Sequence, residues 1–252
     1  MSMGNWKQPF AVLADIHGNA LALAAVMDDM RKRGICRAVN LGDSFYGPLD
    51  PAKTARLLEK LNPVSVLGNQ DRMLLEPTPA LSANPTFRYV MDNLSPGDLA
   101  RLAKTPPVVH LADNAILCCH GTPEDDTIYL TEETASGNPV VRPCEDVAAH
   151  LKTYTASLVL CGHTHLPKII HCGKTMVVNP GSVGLPAYRD DEPPHTMSAG
   201  SPHARYAIIS RQQNDWQAQD VLVEYNWNAA AAQAMERGRT DWANWLQNGV
   251  AS

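Results

Sequence analysis

A chain of 252 residues, 44% hydrophobic and 19% charged, has the make-up of a folded globular protein, one large domain or two small ones. This composition excludes bulk disorder and collagen-like repeats, and the length suffices to bury a full core. A net charge of −5 excludes the basic footprint of a general nucleic-acid binder, and no apolar run approaches the roughly 18 residues of a membrane span.

In chain order, short apolar runs alternate with polar, glycine-containing breaks. Met1 to Phe10 carries neither a basic head nor a long apolar stretch, so no leader peptide is expected there. Phe10 to Ala14 reads as a buried strand breaking into Asp15-Ile16-His17-Gly18-Asn19. Asn19 then caps a helix to about Arg33, with Gly34 as its stop. Ala38 to Leu41 is a second strand, ending in Gly42-Asp43. Asp50-Pro51 opens a helix to about Leu61, with proline at its favoured first position. Val64 to Leu67 breaks into Gly68-Asn69-Gln70-Asp71. Ser95-Pro96 opens another helix, and Ala115 to Cys119 is a strand followed by His120-Gly121. Cys144 to about Tyr154 reads as a helix, and Ser157 to Cys161 as a strand ending in Gly162-His163-Thr164-His165.

The remaining chain is predicted to hold a hairpin over Lys168 to Val178, turning at Gly173-Lys174. A loop from Leu185 to His203 follows, then two strands (Tyr206 to Ser210, Gln217 to Tyr225). A helical, alanine-rich tail runs from Trp227 to Gln247. Strand–helix alternation of this kind implies an α/β layered fold, taken here as a single domain over residues 1–252. The six cysteines form no Cys-x-x-Cys pair and are read as buried, reduced thiols of a cytoplasmic protein.

Each of the five breaks places an Asp, His or Asn just after a strand. Ligands of open α/β sheets bind outside the carboxyl ends of strands, so Asp15, His17, Asp43, Asn69, His120, His163 and His165 are expected to converge. This mixed nitrogen and oxygen set suits Mn, Fe, Zn, Ni or Co better than Ca or Mg. Seven ligands exceed the three that one catalytic zinc takes, and suit two metals sharing a carboxylate. A metal pair of this kind activates a bridging hydroxide and clamps a phosphoryl group for in-line attack.

The ordered series Asp15-x-His17, Gly42-Asp43, Gly68-Asn69-x-Asp71, His120-Gly121 and Gly162-His163-Thr164-His165 resembles the calcineurin-like metallophosphoesterases. Gly42 to Pro48 and Asn179 to Gly184 resemble their small bacterial phosphodiesterase-like branch. The resemblance implies a four-layer α/β/β/α sandwich with two mixed sheets. It implies two divalent metal ions, Mn foremost, with Asp15, His17 and His165 on the first and Asn69, His120 and His163 on the second. Asp43 would bridge them, and Asp43, Asn69 and His120 would carry the catalysis. The implied activity is hydrolysis of phosphodiesters or phosphomonoesters, with a small phosphate ester or nucleotide as substrate and no membrane partner.

Gln70 departs from the family pattern, in which many members have a histidine. An amide donates a hydrogen bond but transfers no proton at neutral pH, which favours good leaving groups. The alternative reading is a non-catalytic protein-binding scaffold of the same fold, as in the retromer subunit. The ligand set argues against it, since a scaffold is free to lose ligands and none is lost. A protein phosphatase is disfavoured because the Asp-Arg-Gly element of that branch is missing after Gly42. Weaker candidates for the pocket are Tyr46, Tyr129, His195 and His203, with Arg72, Arg88 and Arg189 as phosphate contacts. Asn179 to Ser182 reads as a structural turn beside the site. Trp227, Trp242 and Trp245 are expected to pack the tail onto the main body.

Overall fold

The computed structural model describes residues 6–134, 137–213 and 215–251. Part of the segment read for a leader, residues 1–5, lies outside them. A first sheet contains β1 (Phe10–Leu13), β2 (Ala38–Asn40), β3 (Val64–Ser65), β13 (Ala204–Gln212) and β14 (Asp215–Val223), in the order β14-β13-β1-β2-β3. The second contains β4 (Val109–Leu111), β5 (Ile116–Cys118), β8 (Leu158–Leu160), β9 (Pro167–Cys172) and β10 (Thr175–Pro180), in the order β4-β5-β8-β10-β9. Each is mixed: β1-β2-β3 and β5-β8-β10 run parallel, and the outer strands antiparallel. Two ribbons complete the strands, β6 (Glu132–Glu133) with β7 (Val140–Val141) and β11 (Ala187–Asp191) with β12 (Pro194–Ser198).

The layering follows from side-chain alternation along β1. Phe10, Val12 and Ala14 face the second sheet, meeting Ile116, Cys118, Leu158, Leu160 and Val178 in one buried cluster. Ala11 and Leu13 point the other way, onto Leu23, Val26 and Met30 of α1 (Ala20–Lys32). On the far side Leu117, Val159 and Val177 meet Val147 of α7 (Cys144–His150). Helix, sheet, sheet and helix therefore stack in four layers, as the sequence resemblance implies. Each fully buried Leu, Ile or Val of these interfaces contributes about 1.5–3 kcal/mol.

The helix starts follow their caps. Asn19 Oδ1 accepts the Ala22 N–H at 3.1 Å, and Asp50 Oδ1 accepts that of Lys53 at 2.9 Å ahead of α2 (Pro51–Leu61). Asn19 Nδ2 also donates to Gly184 O, so this residue ties helix to turn rather than facing a ligand. Between the third and fourth motifs lie α3 (Asn69–Leu75), α4 (Pro79–Ala83), α5 (Pro85–Asn93) and α6 (Pro96–Leu102). Only α6 is expected from Ser95-Pro96, yet Thr78-Pro79 and Asn84-Pro85 are cap-proline signals of the same kind.

Three expectations are corrected. The segment from Leu185 to His203 is not a loop: β11 and β12 pair there from Ala187↔Ser198 to Asp191↔Pro194. Their sequences, AYRDD and PHTMS, lack the apolar alternation by which a buried strand is recognised. The tail is two helices, α8 (Trp227–Glu236) and α9 (Thr240–Asn248), broken at Gly238 with φ +72°. Finally, Cys144 and Cys172 form a disulfide and Cys36 is exposed; the expectation of buried free thiols holds for Cys118, Cys119 and Cys161. The bonded pair lies 28 residues apart, at the start of α7 and the end of β9, a proximity only the tertiary fold creates. Among the described residues no helix is long and apolar enough to cross a membrane.

Candidate metal centre and substrate cleft

The seven residues singled out in the sequence all sit just beyond the carboxyl ends of the parallel strands, six on loops and Asn69 at a helix start. Asp15 and His17 follow β1, Asp43 follows β2, Asn69 opens α3 after β3, His120 follows β5, and His163 and His165 follow β8. Hydrogen bonds lace these loops together. Asp15 N donates to Gly42 O at 3.0 Å, His17 N to Asp43 O at 2.9 Å, and Gly162 N to His120 O at 2.7 Å. Asn179, fully buried, donates to Gly162 O and Thr164 Oγ1 and accepts the Gly181 N–H.

The backbone is strained where the ligands are. Asp15, His17, Asp43, His163 and His165 adopt positive φ, between 51° and 72°. Such a conformation costs a residue other than glycine about 1–3 kcal/mol and collects at functional sites. The loops also approach closely. A Cβ on Gly68 would stand 2.2 Å from Asp43 Oδ1, so only glycine lets this carboxylate take its place.

Two clusters result. One atom each of Asp15, His17 and His165 lies within 4.8 Å of the others, and the same holds for Asp43, His120 and His163. Asn69 joins the second, its Oδ1 3.0 Å from His120 Nε2. The imidazoles are oriented from behind: the Nδ1 atoms of His17, His120 and His165 face the carbonyls of Tyr46, Leu41 and Leu185 at 3.0, 2.7 and 2.6 Å. In the tautomer that donates there, Nε2 of His17 and of His165 is a bare acceptor directed inward. His163 is reversed, its Nε2 on Thr127 O at 3.1 Å, leaving Nδ1 for the cluster. This backing of each imidazole by a carbonyl fixes tautomer and ring plane in metal sites.

These acceptors oppose one another. His17 Nε2 lies 3.1 Å from His165 Nε2, two lone pairs face to face unless a proton or a cation intervenes. Asp15 Oδ2 accepts the His163 N–H, whereas its Oδ1 is buried without a hydrogen-bond partner. That bare oxygen is 3.5 Å from His165 Nε2 and 4.0 Å from His120 Nε2, between the clusters. Buried acceptors without donors are costly, and inward-facing N and O atoms around one point are the donor set that a divalent cation satisfies. The residues therefore fit the metals that the sequence implies.

The charges agree. Burial opposes ionisation of Asp43, but His120, His17 and His163 override it and hold the carboxyl well below its usual range. Asp15 is likewise lowered: His165 and His120 overcome the effect of its burial. Burial and the neighbouring His165 depress His17 to about 4; burial and His120 depress His163 to about 4. Burial also works against the charged form of His120, yet Asp43 at 3.5 Å and Asp15 push it up to about 10. Behind Asp43, burial and that carboxylate raise Asp71 to about 7, and its Oδ1 accepts the Ser44 N–H.

Fold and ligand clusters converge with comparison to known proteins. A family model for the calcineurin-like phosphoesterase superfamily domain matches residues 9–200. The chain belongs to this superfamily. It is 26% identical over 259 residues to an uncharacterised protein of Methanocaldococcus jannaschii, a match spanning 94% of this chain and 96% of the other. Its fold is similar to that of a metallophosphoesterase from Sphaerobacter thermophilus, with a TM-score of 0.76, 23% identity, and 96% and 99% of the two chains covered. It is also similar to a hypothetical protein from Pyrococcus horikoshii OT3, with a TM-score of 0.70, 19% identity, and 97% and 99% covered.

The clusters open into a cleft of about 670 Å³, a size that takes a nucleotide-sized ligand. Asp43, Asn69, Gln70, His163 and His165 form its floor. Gln70 lines the cleft, with its Oε1 buried and without a hydrogen-bond partner. Of the weaker candidates, Tyr46, Tyr129 and Arg189 line the cleft. His195 stands behind Tyr129, its Nε2 2.9 Å from the Tyr129 hydroxyl. His203 is elsewhere, against Trp227, and Arg72 is committed to Asp126 by two hydrogen bonds of 2.8 and 2.7 Å. Arg88 is exposed and lines no part of the cleft.

Residues without a sequence signal complete the walls. Tyr188, on β11, stacks edge-on against His165 at 4.6 Å, meets the Tyr129 hydroxyl at 2.8 Å and donates to His163 O. Trp242, on α9, is buried and packs edge-on against His17 at 5.7 Å. The turn Arg237-Gly238-Arg239 between α8 and α9 reaches the same cleft. The signals that could have marked this turn are Gly238 as a helix stop and Thr240 opening a new helix.

Proposed function

We propose that this chain hydrolyses phosphodiester or phosphomonoester bonds of a small substrate through a centre of two divalent metal ions, Mn foremost with Fe, Zn, Ni or Co as alternatives. The observation that carries the reading is the pair of inward-facing clusters, with opposed imidazole nitrogens and a bare Asp15 oxygen between them. Asp15, His17 and His165 would hold one ion and Asn69, His120 and His163 the other. Asp43 would bridge, because its carboxylate feels His17 of one cluster and His120 and His163 of the other. When bound, the ions supply a hydroxide nucleophile at neutral pH and offset the charge of the phosphoryl group.

The protein's own residues prepare that chemistry. Asp15 and Asp43 stay ionised at neutral pH, and His17 and His163 stay unprotonated, so each offers a lone pair without first losing a proton. His120 would have to release its proton to hold an ion, which would couple metal affinity to pH. Gln70, at the cleft floor, presents an amide N–H to the leaving oxygen but supplies no proton. General acid catalysis contributes typically about 10²- to 10⁴-fold, so its loss favours leaving groups that depart as stable anions.

The test is hydrolysis of bis(p-nitrophenyl) phosphate by chelator-stripped protein with and without Mn²⁺, beside an Asp43→Asn variant. The expected result is turnover that requires metal and falls on the order of 10³-fold or more in the variant. Metal-bound protein without turnover on aryl diesters or monoesters would instead favour the scaffold reading. An alkyl ester in the same assay tests Gln70, and turnover as fast as that of the aryl ester would contradict the assigned lack of an acid.

A further inference from the structure

The floor of the cleft accounts for one phosphoryl group, yet the volume is several times what one requires and the far wall is cationic. Apart from the candidate metal residues, the charged lining consists of Arg189, Arg237 and Arg239 against Asp190. Arg189 is open to solvent, with 63% of its side chain exposed, and faces Asp191 at 3.7 Å. The other two flank Gly238, whose left-handed φ of +72° sharply reverses the chain between α8 and α9. The Arg237 and Arg239 N–H groups both return to Ala234 O, which pins the turn to the end of α8.

The two guanidiniums are held before any ligand arrives. Arg237 lies over the Tyr89 ring at 4.4 Å and gives one N–H to Gln233 O, and the Glu236 carboxylate is 4.0 Å away on the exposed side. Arg239 is braced on Asp241 through Nε and Nη2 and reaches Thr86 Oγ1 through Nη1. Arginines fixed in this way lose little freedom on binding, and their planar donors match phosphate oxygens. The turn also lies beyond residues 9–200, the part of the chain that the superfamily model matches. Its charge therefore belongs to the C-terminal helical pair of this chain rather than to the shared motifs.

We propose that the Arg237-Gly238-Arg239 turn binds a second, non-reacting phosphate of the substrate, so that the preferred substrate is an organic pyrophosphate of nucleoside-diphosphate size. This rests on the phosphoesterase reading above and deepens it by naming the substrate class. A pyrophosphate also suits Gln70, because its leaving group is itself a phosphate and needs little help from an acid. Arg237 is the principal anchor, since Arg239 is already shared with Asp241.

The test has one arm that needs no catalysis. Inorganic tripolyphosphate is titrated calorimetrically into chelator-stripped protein, as wild type, Arg237→Gln and Arg237→Lys, each with its melting curve. Expected are one site in the wild type, weaker binding of orthophosphate, a loss of at least about ten-fold in affinity in Arg237→Gln, and partial retention in Arg237→Lys. In the second arm, the metal-loaded enzyme is compared on ADP and p-nitrophenyl phosphate. The ratio of the two kcat/KM values should fall at least about ten-fold in Arg237→Gln. A folded Arg237→Gln that binds tripolyphosphate like the wild type, or a wild type that does not bind it, overturns the proposal. Arg237-dependent binding without metal-dependent hydrolysis of either ester would uphold the anion site and overturn the phosphoesterase reading instead.

Discussion

The floor of the cleft is laid by five strand-end loops whose backbone is strained and cross-bonded, whereas its far wall comes from a two-stranded ribbon and a helical pair whose left-handed turn falls on a glycine, Gly238. Five of the candidate ligands hold positive φ, and buried acceptors among them oppose one another. In the wall, aromatic rings and arginines are packed or ion-paired in conventional ways. The difference separates two tasks. The floor stores strain and unsatisfied polarity that a bound cation repays, so its residue types leave little choice. The wall only has to present shape and charge to a substrate, and many sequences serve.

Three perturbations break or sharpen that contrast. The largest effect is expected from Gly68→Ala. The added methyl would collide with Asp43 Oδ1 and the Asp43 backbone N, so the carboxylate proposed to bridge must move. Metal-dependent hydrolysis should fall on the order of 10²-fold or more, as for a misplaced catalytic group, and the second metal should bind more weakly; paired kinetics and metal titration read both. Arg237→Gln, a wall substitution, should leave the metal titration as it is.

Asn179→Ala comes next. It removes three buried hydrogen bonds, two to the His163–His165 loop and one from Gly181 N–H in the adjoining turn. The expected result is a loss of about 10- to 100-fold in metal affinity, the usual cost of removing outer-shell support, together with a lower melting temperature.

The smallest effect concerns pH in the metal-stripped protein. His120 is raised in the fold, so its contribution to stability is fully present below about pH 6.5 and lost as pH rises through about 10. The melting temperature of the wild type relative to His120→Asn should therefore shrink over that window, by more than roughly 2 °C, the shift that about 1 kcal/mol produces in a chain of this size. His17 runs the opposite way. Its lowered value means that the wild type loses stability relative to His17→Asn as pH falls from about 6.5 towards 4.

The same division explains what the sequence discloses. Strand-end ligands are legible because chemistry restricts them to Asp, His and Asn and topology restricts them to the breaks after Ala14, Leu41, Leu67, Cys119 and Cys161. Helices α1 and α2 are legible through Asn19, Asp50 and Pro51, whose capping is local. The ribbon β11–β12 is not, because its strands pair with each other and carry Arg189, Asp190, Asp191 and Pro194 around a Glu192-Pro193 turn where a core strand would carry apolar residues. Tyr188 and Arg237 reach the cleft only through contacts over 25 or more residues, to His163 and to Tyr89, which no local pattern encodes. The Cys144–Cys172 bond is hidden for the same reason.

The account rests on two metals in the two clusters, and anomalous diffraction from crystals soaked in Mn²⁺ tests this most directly. Two peaks are predicted, one among Asp15, His17 and His165 and one among Asn69, His120 and His163, with Asp43 touching both. A single peak, or none at saturating Mn²⁺, would contradict it.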